Sequence, residues 1–221
     1  MIRIYRRLHR FFGPQHWWPG DTPLEIAVGA ILTQNTSWAN ASRAVSALKE
    51  HRLLSIASLE RIPERRLARL IRSSGYFNQK AARLKAFVRY VRVRHSGRMS
   101  VMKRKGWAPL REELLSINGI GPETADSILL YALNKPVFVV DAYTRRVLAR
   151  HSFVAPDATY EELQRFFLKR LPADARLFND YHAQIVALGK EFCRPTKPQC
   201  EECPLRKVGR LCLEPSGAGK G

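Results

Sequence analysis

The chain has 221 residues, of which 45% are hydrophobic and 26% are charged, and this balance excludes a disordered or fibrous protein. Its 38 Lys and Arg against 19 Asp and Glu give a net charge of +19, which favours a polyanionic partner: nucleic acid first, an anionic membrane surface second. No apolar run approaches the roughly 20 residues of a membrane helix, and the basic N-terminus lacks the apolar core of a signal peptide. We therefore expect a soluble, intracellular protein.

The first half of the chain predicts a series of short helices. Apolar residues at helical spacing predict a docking helix within residues 1–13. A second helix is expected to begin at Pro23, with Asp21 or Thr22 as its cap. Further helices are predicted at Trp38–Glu50, Ser55–Leu59, Pro63–Ser73 and Gln79–Arg94. The last of these places its basic residues, Lys80 and Arg83 among them, mostly off the apolar stripe, as a solvated face also would.

The segment from Leu114 to Arg150 is the most informative. A short helix is predicted to end at Ile117–Asn118, and another opens at Pro122, a residue favoured in a first helical turn. Between them, Gly119 and Gly121 permit a tight hairpin in which Ile120 points inward. Backbone N–H groups at the new helix start could then bind a DNA phosphate, although an ordinary helix–turn–helix packing element has the same pattern.

Asp141 follows the short apolar run Val137–Val140, the only strand-like stretch in the chain, and begins a helix that carries Arg145 and Arg146. An aspartate at a helix start is most often a cap. With no regular strand pattern elsewhere, the predicted fold class is all-α.

All four cysteines fall near the C-terminus, with the spacing Cys193-x6-Cys200-x2-Cys203-x8-Cys212. A disulfide framework would spread its bridges over distant segments and would need an oxidising compartment. A metal or cluster site is the alternative that remains, and from spacing alone zinc and iron–sulfur ligation both stay open.

Taken together, the hairpin, the aspartate and the cysteine loop resemble the endonuclease III superfamily of helix-hairpin-helix DNA base-excision glycosylases, from about Pro19 to Cys212. The resemblance implies a two-domain glycosylase fold with a C-terminal 4Fe–4S cluster loop. One domain would comprise residues 21–134, and the other residues 1–20 plus 135–221, with DNA in the cleft between them. It also makes Asp141 the catalytic residue, which would stabilise the oxocarbenium-like sugar and orient the attacking water.

Two departures from the family's motifs bear on the reaction. Bifunctional members carry a lysine nucleophile two residues after the second hairpin glycine, where this chain has Glu123, which cannot form a Schiff base. The adenine-excising mismatch branch has a glutamate where this chain has Ala30. The resemblance therefore implies a monofunctional enzyme outside the mismatch branch.

The base pocket resembles that of the 3-methyladenine glycosylase branch. The segments His16-Trp17-Trp18-Pro19 and Leu32–Trp38 carry this likeness, in which Trp17 and Trp38 would sandwich the flipped base. Trp18 and Lys190 are assigned to the same pocket, although adjacent tryptophans are often core filler and a surface lysine is common. An N3-alkylated adenine is cationic, so it leaves without a general acid, and stacking on aromatic rings favours it.

The resemblance also implies contacts with DNA. Gln34 would fill the space left by the flipped base, and Tyr76 would intercalate as a wedge, although Tyr76 could instead be a loop-packing aromatic. The remaining candidate DNA contacts are Asn78, Lys80, Gly119, Ile120, Gly121, Thr124 and Arg145.

The endonuclease III tail has the spacing Cys-x6-Cys-x2-Cys-x5-Cys and binds a 4Fe–4S cluster, and here the last interval is longer by three residues. We therefore expect a 4Fe–4S cofactor on Cys193, Cys200, Cys203 and Cys212. The expected function is hydrolytic removal of alkylated, 3-methyladenine-type bases from damaged duplex DNA. The alternatives are an endonuclease III-like glycosylase and lyase for oxidised pyrimidines, and a non-catalytic lesion-binding protein. A cytoplasmic, nucleoid-associated bacterial monomer without membrane association is expected, with a disordered tail over residues 215–221.

Overall fold

A computed structural model describes residues 1–208, and every element of regular structure in that range is helical. The chain divides into two compact units, one comprising Met1–Trp17 with Phe138–Gly221 and the other Trp18–Val137. The all-α class expected from the sequence is confirmed. The apolar run before Asp141 has irregular backbone in place of a strand, and its side chains are buried.

The helices, in chain order, are α1 (Ile2–Phe12), α2 (Pro23–Leu32), α3 (Trp38–Glu50), α4 (Ile56–Arg61), α5 (Glu64–Leu70), α6 (Phe77–His95), α7 (Met99–Arg104), α8 (Trp107–Leu115), α9 (Pro122–Ser127), α10 (Ala142–Arg150), α11 (Tyr160–Leu168) and α12 (Ala175–Glu191). A 3₁₀ turn (Arg72–Ser74) precedes α6, and a π-helical segment (Ile128–Ala132) continues α9.

Helix α2 lies at the centre of the unit formed by residues 18–137. Thr22 caps it by accepting a hydrogen bond from the Glu25 N–H at 3.1 Å, and Pro23 occupies the first turn, so Thr22 and not Asp21 is the cap. All but three of its ten residues are buried, and α3, α6, α9 and the π-helical segment pack around it. This arrangement brings the hairpin between α8 and α9 against the end of α2.

In the other unit, α1 packs against α12. Leu8 is fully buried, and the Tyr5 hydroxyl and the His9 ring both reach the Asp180 carboxylate at 2.9 Å. Phe138 stacks on Phe167 with ring centroids 3.7 Å apart. The unit therefore has an aromatic core next to the point where the chain enters α10.

Several helix bounds differ from those predicted. The segment predicted as one helix over Pro63–Ser73 is α5 followed by the 3₁₀ turn, and the long basic helix begins at Phe77, two residues early. No helix in the described part of the chain combines the length and apolarity that crossing a membrane requires. The expected disordered tail and Cys212 lie outside the described residues.

Candidate active site and DNA-binding hairpin

Asp141 is the N-cap of α10. One carboxylate oxygen, Oδ1, accepts a hydrogen bond from the Thr144 N–H at 2.7 Å, while the other, Oδ2, lies 3.5 Å from Nε2 of His182. The Asp141 side chain is 14% exposed and that of His182 5%. Capping of the helix uses only Oδ1. The position of Oδ2 is set instead by His182, which lies on α12.

The Asp141 carboxyl is held in its ionised form. Burial raises the pKa of Asp141, but the charge and hydrogen bond of His182 and the donors of Thr144 outweigh burial, and the net pKa lies below its usual value. An anion in a nearly dry site interacts strongly with a developing cation. The arrangement can therefore stabilise an oxocarbenium-like sugar.

The helix that begins at Asp141 is fixed at its far end by the cysteine loop. Arg146 donates to the Cys193 carbonyl at 2.6 Å and to the Gly189 carbonyl at 3.1 Å, and Arg150 donates to the Pro195 carbonyl at 2.8 Å. A Cβ on Gly189 would lie 2.4 Å from the Tyr143 ring, so only glycine allows α12 to approach α10 this closely. These contacts set the direction from which Asp141 is presented.

The unit that holds Asp141 also contains Arg145, Lys190 and Trp17, which were predicted as site residues. Arg145 donates to the Ala158 carbonyl in the loop before α11, and is half-buried. The Lys190 ammonium is exposed and lies 5.9 Å from the centre of the Trp17 ring, within reach of a cation–π contact. Lys190 and Trp17 are thus neighbours.

The hairpin between α8 and α9 has the geometry expected from its sequence. Gly119 has a φ of +84°, in the left-handed region that favours glycine, and Ile120 is 3% exposed. Gly121 has an ordinary φ of −89°, but a Cβ there would meet nothing within 4 Å. Gly119 is therefore needed for the turn, whereas Gly121 leaves the backbone open to an approaching phosphate.

Gln34 ties the end of α2 to this hairpin. Its Nε2 donates to the Gly119 carbonyl at 3.0 Å and to the Thr124 hydroxyl at 2.8 Å, and its Oε1 accepts a hydrogen bond from Arg83 on α6. The amide is thus fully engaged within this unit. Arg83 was not a predicted site residue, because its place on a basic helix gave it no distinguishing signal.

The two hairpin helices are joined by a buried ion pair. Arg111 on α8 donates to both carboxylate oxygens of Asp126 on α9, at 2.8 and 3.2 Å, and Asp126 is fully buried. A bidentate pair of this kind fixes orientation as well as distance. The ion pair therefore fixes the orientation of α8 relative to α9 on the buried side of the hairpin.

An aromatic cluster lies on the surface of α2. Trp18 stacks on Tyr131 with ring centroids 5.1 Å apart. The rings of Trp18 and Trp38 are arranged edge to face, with centroids 5.0 Å apart. A Cβ on Gly29 would lie 3.3 Å from the Trp18 indole nitrogen and 3.6 Å from the Trp38 ring, so the glycine lets both rings settle on the helix. Tyr131, which sequence reasoning missed, reaches the cluster from the π-helical segment, a feature frequent at functional sites.

The segment before α6 presents an aromatic side chain to solvent. Gly75 and Tyr76 have φ values of +67° and +46°, and Tyr76 is 64% exposed. Positive φ is uncommon for a bulky residue and often marks a functional turn. Asn78 is also exposed, beside Tyr76 at the start of the helix.

Lys80 is placed differently from the prediction. It was expected to contact DNA, but it is 1% exposed, and its ammonium donates to the Leu32 carbonyl at 2.8 Å and the Ser74 carbonyl at 2.6 Å. Burial, with a smaller effect of Arg83, lowers the pKa of Lys80 to about 8. The assignment to DNA contact is therefore wrong for this residue, because both carbonyls would be left unbonded if it turned outward.

The cysteine loop is described as far as residue 208. Cys193 and Cys203 are buried. The Cys203 sulfur accepts a hydrogen bond from the Leu205 N–H at 3.4 Å, and the Cys193 sulfur accepts one from the Arg150 guanidinium at 3.5 Å. Burial raises the pKa of the Cys203 thiol. Within residues 1–208, no three His, Cys, Asp or Glu side chains converge to hold a metal ion. Cys212 lies outside this range, so we assign no chemical step to a metal.

Comparisons of the chain with known proteins agree with this geometry. The family pattern of the HhH-GPD superfamily base excision DNA repair proteins matches residues 28–173. A protein of Methanocaldococcus jannaschii that carries the provisional name DNA repair glycosylase is 46% identical over 215 residues, which cover 96% of each chain. Endonuclease III of Thermotoga maritima is 30% identical over 184 residues, 83% of this chain and 81% of that one. The archaeal relative gives no support to the expected bacterial source.

Solved structures give the same picture. The 3-methyladenine DNA glycosylase of H. pylori bound to 1,N6-ethenoadenine has a TM-score of 0.76 and 29% identity, covering 86% of this chain and 96% of that one. Endonuclease III in a non-covalent complex with DNA has a TM-score of 0.80 at 21% identity, covering 95% of this chain and 93% of that one, which is a likeness of fold alone. The resemblance drawn from the sequence motifs is confirmed.

Proposed function

Because the chain belongs to the HhH-GPD superfamily and is a DNA repair glycosylase of that family, we propose that it is a monofunctional enzyme that hydrolyses the N-glycosidic bond of alkylated, 3-methyladenine-type bases in duplex DNA. The observation that carries the proposal is the aromatic cluster of Trp18, Trp38 and Tyr131 over Gly29. Stacking of a flipped base on such rings contributes roughly 1–3 kcal/mol, and an electron-poor base gains further from the ring faces. The H. pylori neighbour, crystallised with an alkylated adenine analogue, supports the same substrate class.

In this proposal, Asp141 is the catalytic residue. The glycosidic bond breaks with its electron pair leaving on the cationic base, and the ionised carboxylate stabilises the positive charge that develops on the sugar. Water then attacks the anomeric carbon and gives up a proton to the carboxylate. No general acid is needed, because an N3-alkylated adenine is already positively charged while it is attached to the sugar and leaves as a neutral base.

The absence of a lyase step follows from Glu123. It lies on α9, exposed, at the position where the resemblance puts a lysine nucleophile, and a carboxylate cannot form the Schiff base on the opened sugar. The product is therefore an intact strand with an abasic site.

The DNA contacts come from the hairpin and the wedge. Gly119, Gly121 and Thr124 belong to a rigid turn whose backbone can receive a phosphate, and Gln34 braces it from α2. Tyr76, exposed and next to Asn78, would insert beside the extruded nucleotide. We assign Ile120 to the anchoring of the turn, since it is buried.

The cysteine loop is inferred to bind a 4Fe–4S cluster through Cys193, Cys200, Cys203 and Cys212, with a structural role. The family spacing of the first three cysteines and the hydrogen bonds to two of the sulfurs support this assignment. Iron and acid-labile sulfide analysis of purified protein, with the visible absorption spectrum, tests it. Zinc in place of iron would overturn it.

A panel of single-lesion duplexes tests the function. Each duplex would hold a 3-methyladenine analogue, 1,N6-ethenoadenine, thymine glycol or uracil, and each single-turnover reaction would be split with and without alkali. Strand breaks at an alkylated adenine only after alkali are expected. Direct nicking at thymine glycol, with borohydride trapping of a covalent adduct, would overturn the proposal in favour of the bifunctional, endonuclease III-like alternative.

A further inference from the structure

The second carboxylate oxygen of Asp141 has a partner that helix capping does not require. Oδ1 already accepts the Thr144 N–H, which completes the cap, yet Oδ2 faces Nε2 of His182 at 3.5 Å. His182 lies in the middle of α12 and is buried. The carboxylate is therefore fixed at both oxygens, one from its own helix and one from across the unit.

We propose that His182 is a positioning residue for the reaction, which holds the Asp141 carboxylate in one rotation from across the unit. The inference rests on the proposed function, since it assumes that Asp141 is the catalytic group. His182 acts only through Asp141 and makes no contact with the base in this scheme. Sequence reasoning missed it because a single histidine on an apolar helix has the appearance of a core residue.

The surroundings of the pair favour this role. The rings of His182 and Phe138 are arranged edge to face, with centroids 6.4 Å apart. Phe138 is itself stacked on Phe167, so the imidazole packs among rigid neighbours. Tyr143 and Gly189 set the close approach of α10 and α12. His182 is the titratable group that acts on Asp141, and Thr144 supplies only uncharged donors.

Burial and pairing act on the carboxylate in opposite directions. Burial alone raises the pKa of Asp141, and the charge and hydrogen bond of His182 contribute most to lowering it. Without His182, we expect the carboxylate to bind a proton at a higher pH and to rotate more freely. Both changes reduce the fraction of enzyme that has an anion aimed at the sugar.

The test compares His182→Leu with His182→Gln, whose amide N–H can still reach Oδ2. Base release at saturating enzyme is expected to fall about 10–100-fold in His182→Leu, because misplacement of a reacting group by about an ångström costs that much. His182→Gln should keep a rate within several-fold of the parent chain. The acidic limb of the pH–rate profile should move to higher pH in His182→Leu, while affinity for undamaged duplex stays unchanged.

Tyr181→Phe serves as the matched control. Tyr181 is the buried neighbour of His182 on α12, and its hydroxyl donates to the Met1 carbonyl at 3.1 Å, away from Asp141. The Tyr181→Phe variant should be less stable to heat, while the acidic limb of its pH–rate profile stays unchanged. The inference would be overturned if His182→Leu and His182→Gln lost rate equally and in proportion to their loss of thermal stability, while the acidic limb of the pH–rate profile stayed in place. His182 would then be a core residue.

Asp141→Asn separates this inference from the function itself. If Asp141→Asn loses base release while both His182 variants keep the parent rate, the proposed function stands and the positioning role fails. If Asp141→Asn keeps the parent rate, the proposed function fails, and the positioning role fails with it.

Discussion

Arg83 lies directly against Gly119, so that a Cβ built on this glycine would come within 2.4 Å of the arginine Nε and 2.7 Å of its Cγ. The same guanidinium donates to Gln34, whose amide reaches the Gly119 carbonyl. The hairpin, α2 and α6 therefore meet at one point. The left-handed φ of Gly119 and this close approach both exclude a side chain there.

Gly119→Ala and Gly121→Ala should consequently behave differently. Gly119→Ala forces a strained φ and displaces Arg83, and we expect the free energy of unfolding to fall by about 1–3 kcal/mol. Gly121→Ala points its methyl into open space, so stability should change little while affinity for duplex DNA falls. Urea unfolding and fluorescence anisotropy on both variants measure the two effects. Equal destabilisation by both substitutions would contradict this assignment.

Asp141→Asn should remove catalysis and spare the fold. Asparagine caps helices about as well as aspartate, so the melting temperature should change little. Loss of the anion should slow base release on the order of 10²–10³-fold or more. Single-turnover assays and gel-shift binding on the same preparation test this, and near-parent affinity for a lesion duplex is expected. A non-catalytic lesion-binding protein would show no base release from either protein.

Trp38→Ala should impair lesion excision far more than general DNA affinity. Removing the ring takes away a stacking surface worth roughly 1–3 kcal/mol, which corresponds to a loss of about 5–150-fold in excision. Trp107→Ala is the control, because Trp107 begins α8 and lies outside the aromatic cluster around Gly29. Comparable losses for lesion and undamaged duplexes in Trp38→Ala would argue against a stacking role.

The Arg111–Asp126 ion pair should matter more than an exposed one. Asp126 is fully buried, so Asp126→Ala leaves a guanidinium without its anion and should cost about 3–5 kcal/mol of the free energy of unfolding. Asp21→Ala breaks the exposed Lys49–Asp21 pair and should leave the free energy of unfolding almost unchanged. Chemical denaturation measures both. A similar small cost for the two variants would mean that the hairpin does not depend on this pair.

Lys80 predicts a pH-dependent stability. Its pKa is lowered to about 8 by burial and by Arg83, whereas an unfolded lysine titrates near pH ~10.4. Between these values the unfolded chain binds more protons, so the free energy of unfolding rises with pH. Relative to Lys80→Met, the parent chain should gain on the order of 1–3 kcal/mol between about pH 8 and about pH 10. Urea titrations across that range should show the growing difference, and a constant one would contradict it.

Much of the architecture could be read from the sequence because it depends on local signals. Apolar spacing predicted most of the helices, and Gly119, Ile120 and Pro122 predicted the turn, since turn geometry and first-turn preferences are set by neighbouring residues. The position of Asp141 before an arginine-bearing helix predicted its capping role. The family resemblance followed from these motifs and their order.

The partners of the site residues depend on tertiary structure. Arg83 touches Gly119, Tyr131 joins the Trp18 cluster, and His182 faces Asp141, each from a helix far away in the chain. Helical periodicity tells which side of a helix is buried but not which helix covers it.

Lys80 is a residue whose environment the sequence predicted wrongly for the same reason. Its charge and its place on a basic helix predicted an exposed contact with DNA, whereas the fold turns its ammonium onto the Leu32 and Ser74 carbonyls. Only the packing of α6 against α2 and the 3₁₀ turn created those two buried acceptors, and a buried carbonyl without a donor is costly. Local signals in the chain were enough to predict the helices, the hairpin and the capping aspartate. The tertiary structure decided which charged side chains face solvent and which residue holds the carboxylate, because both depend on contacts between segments distant in the chain.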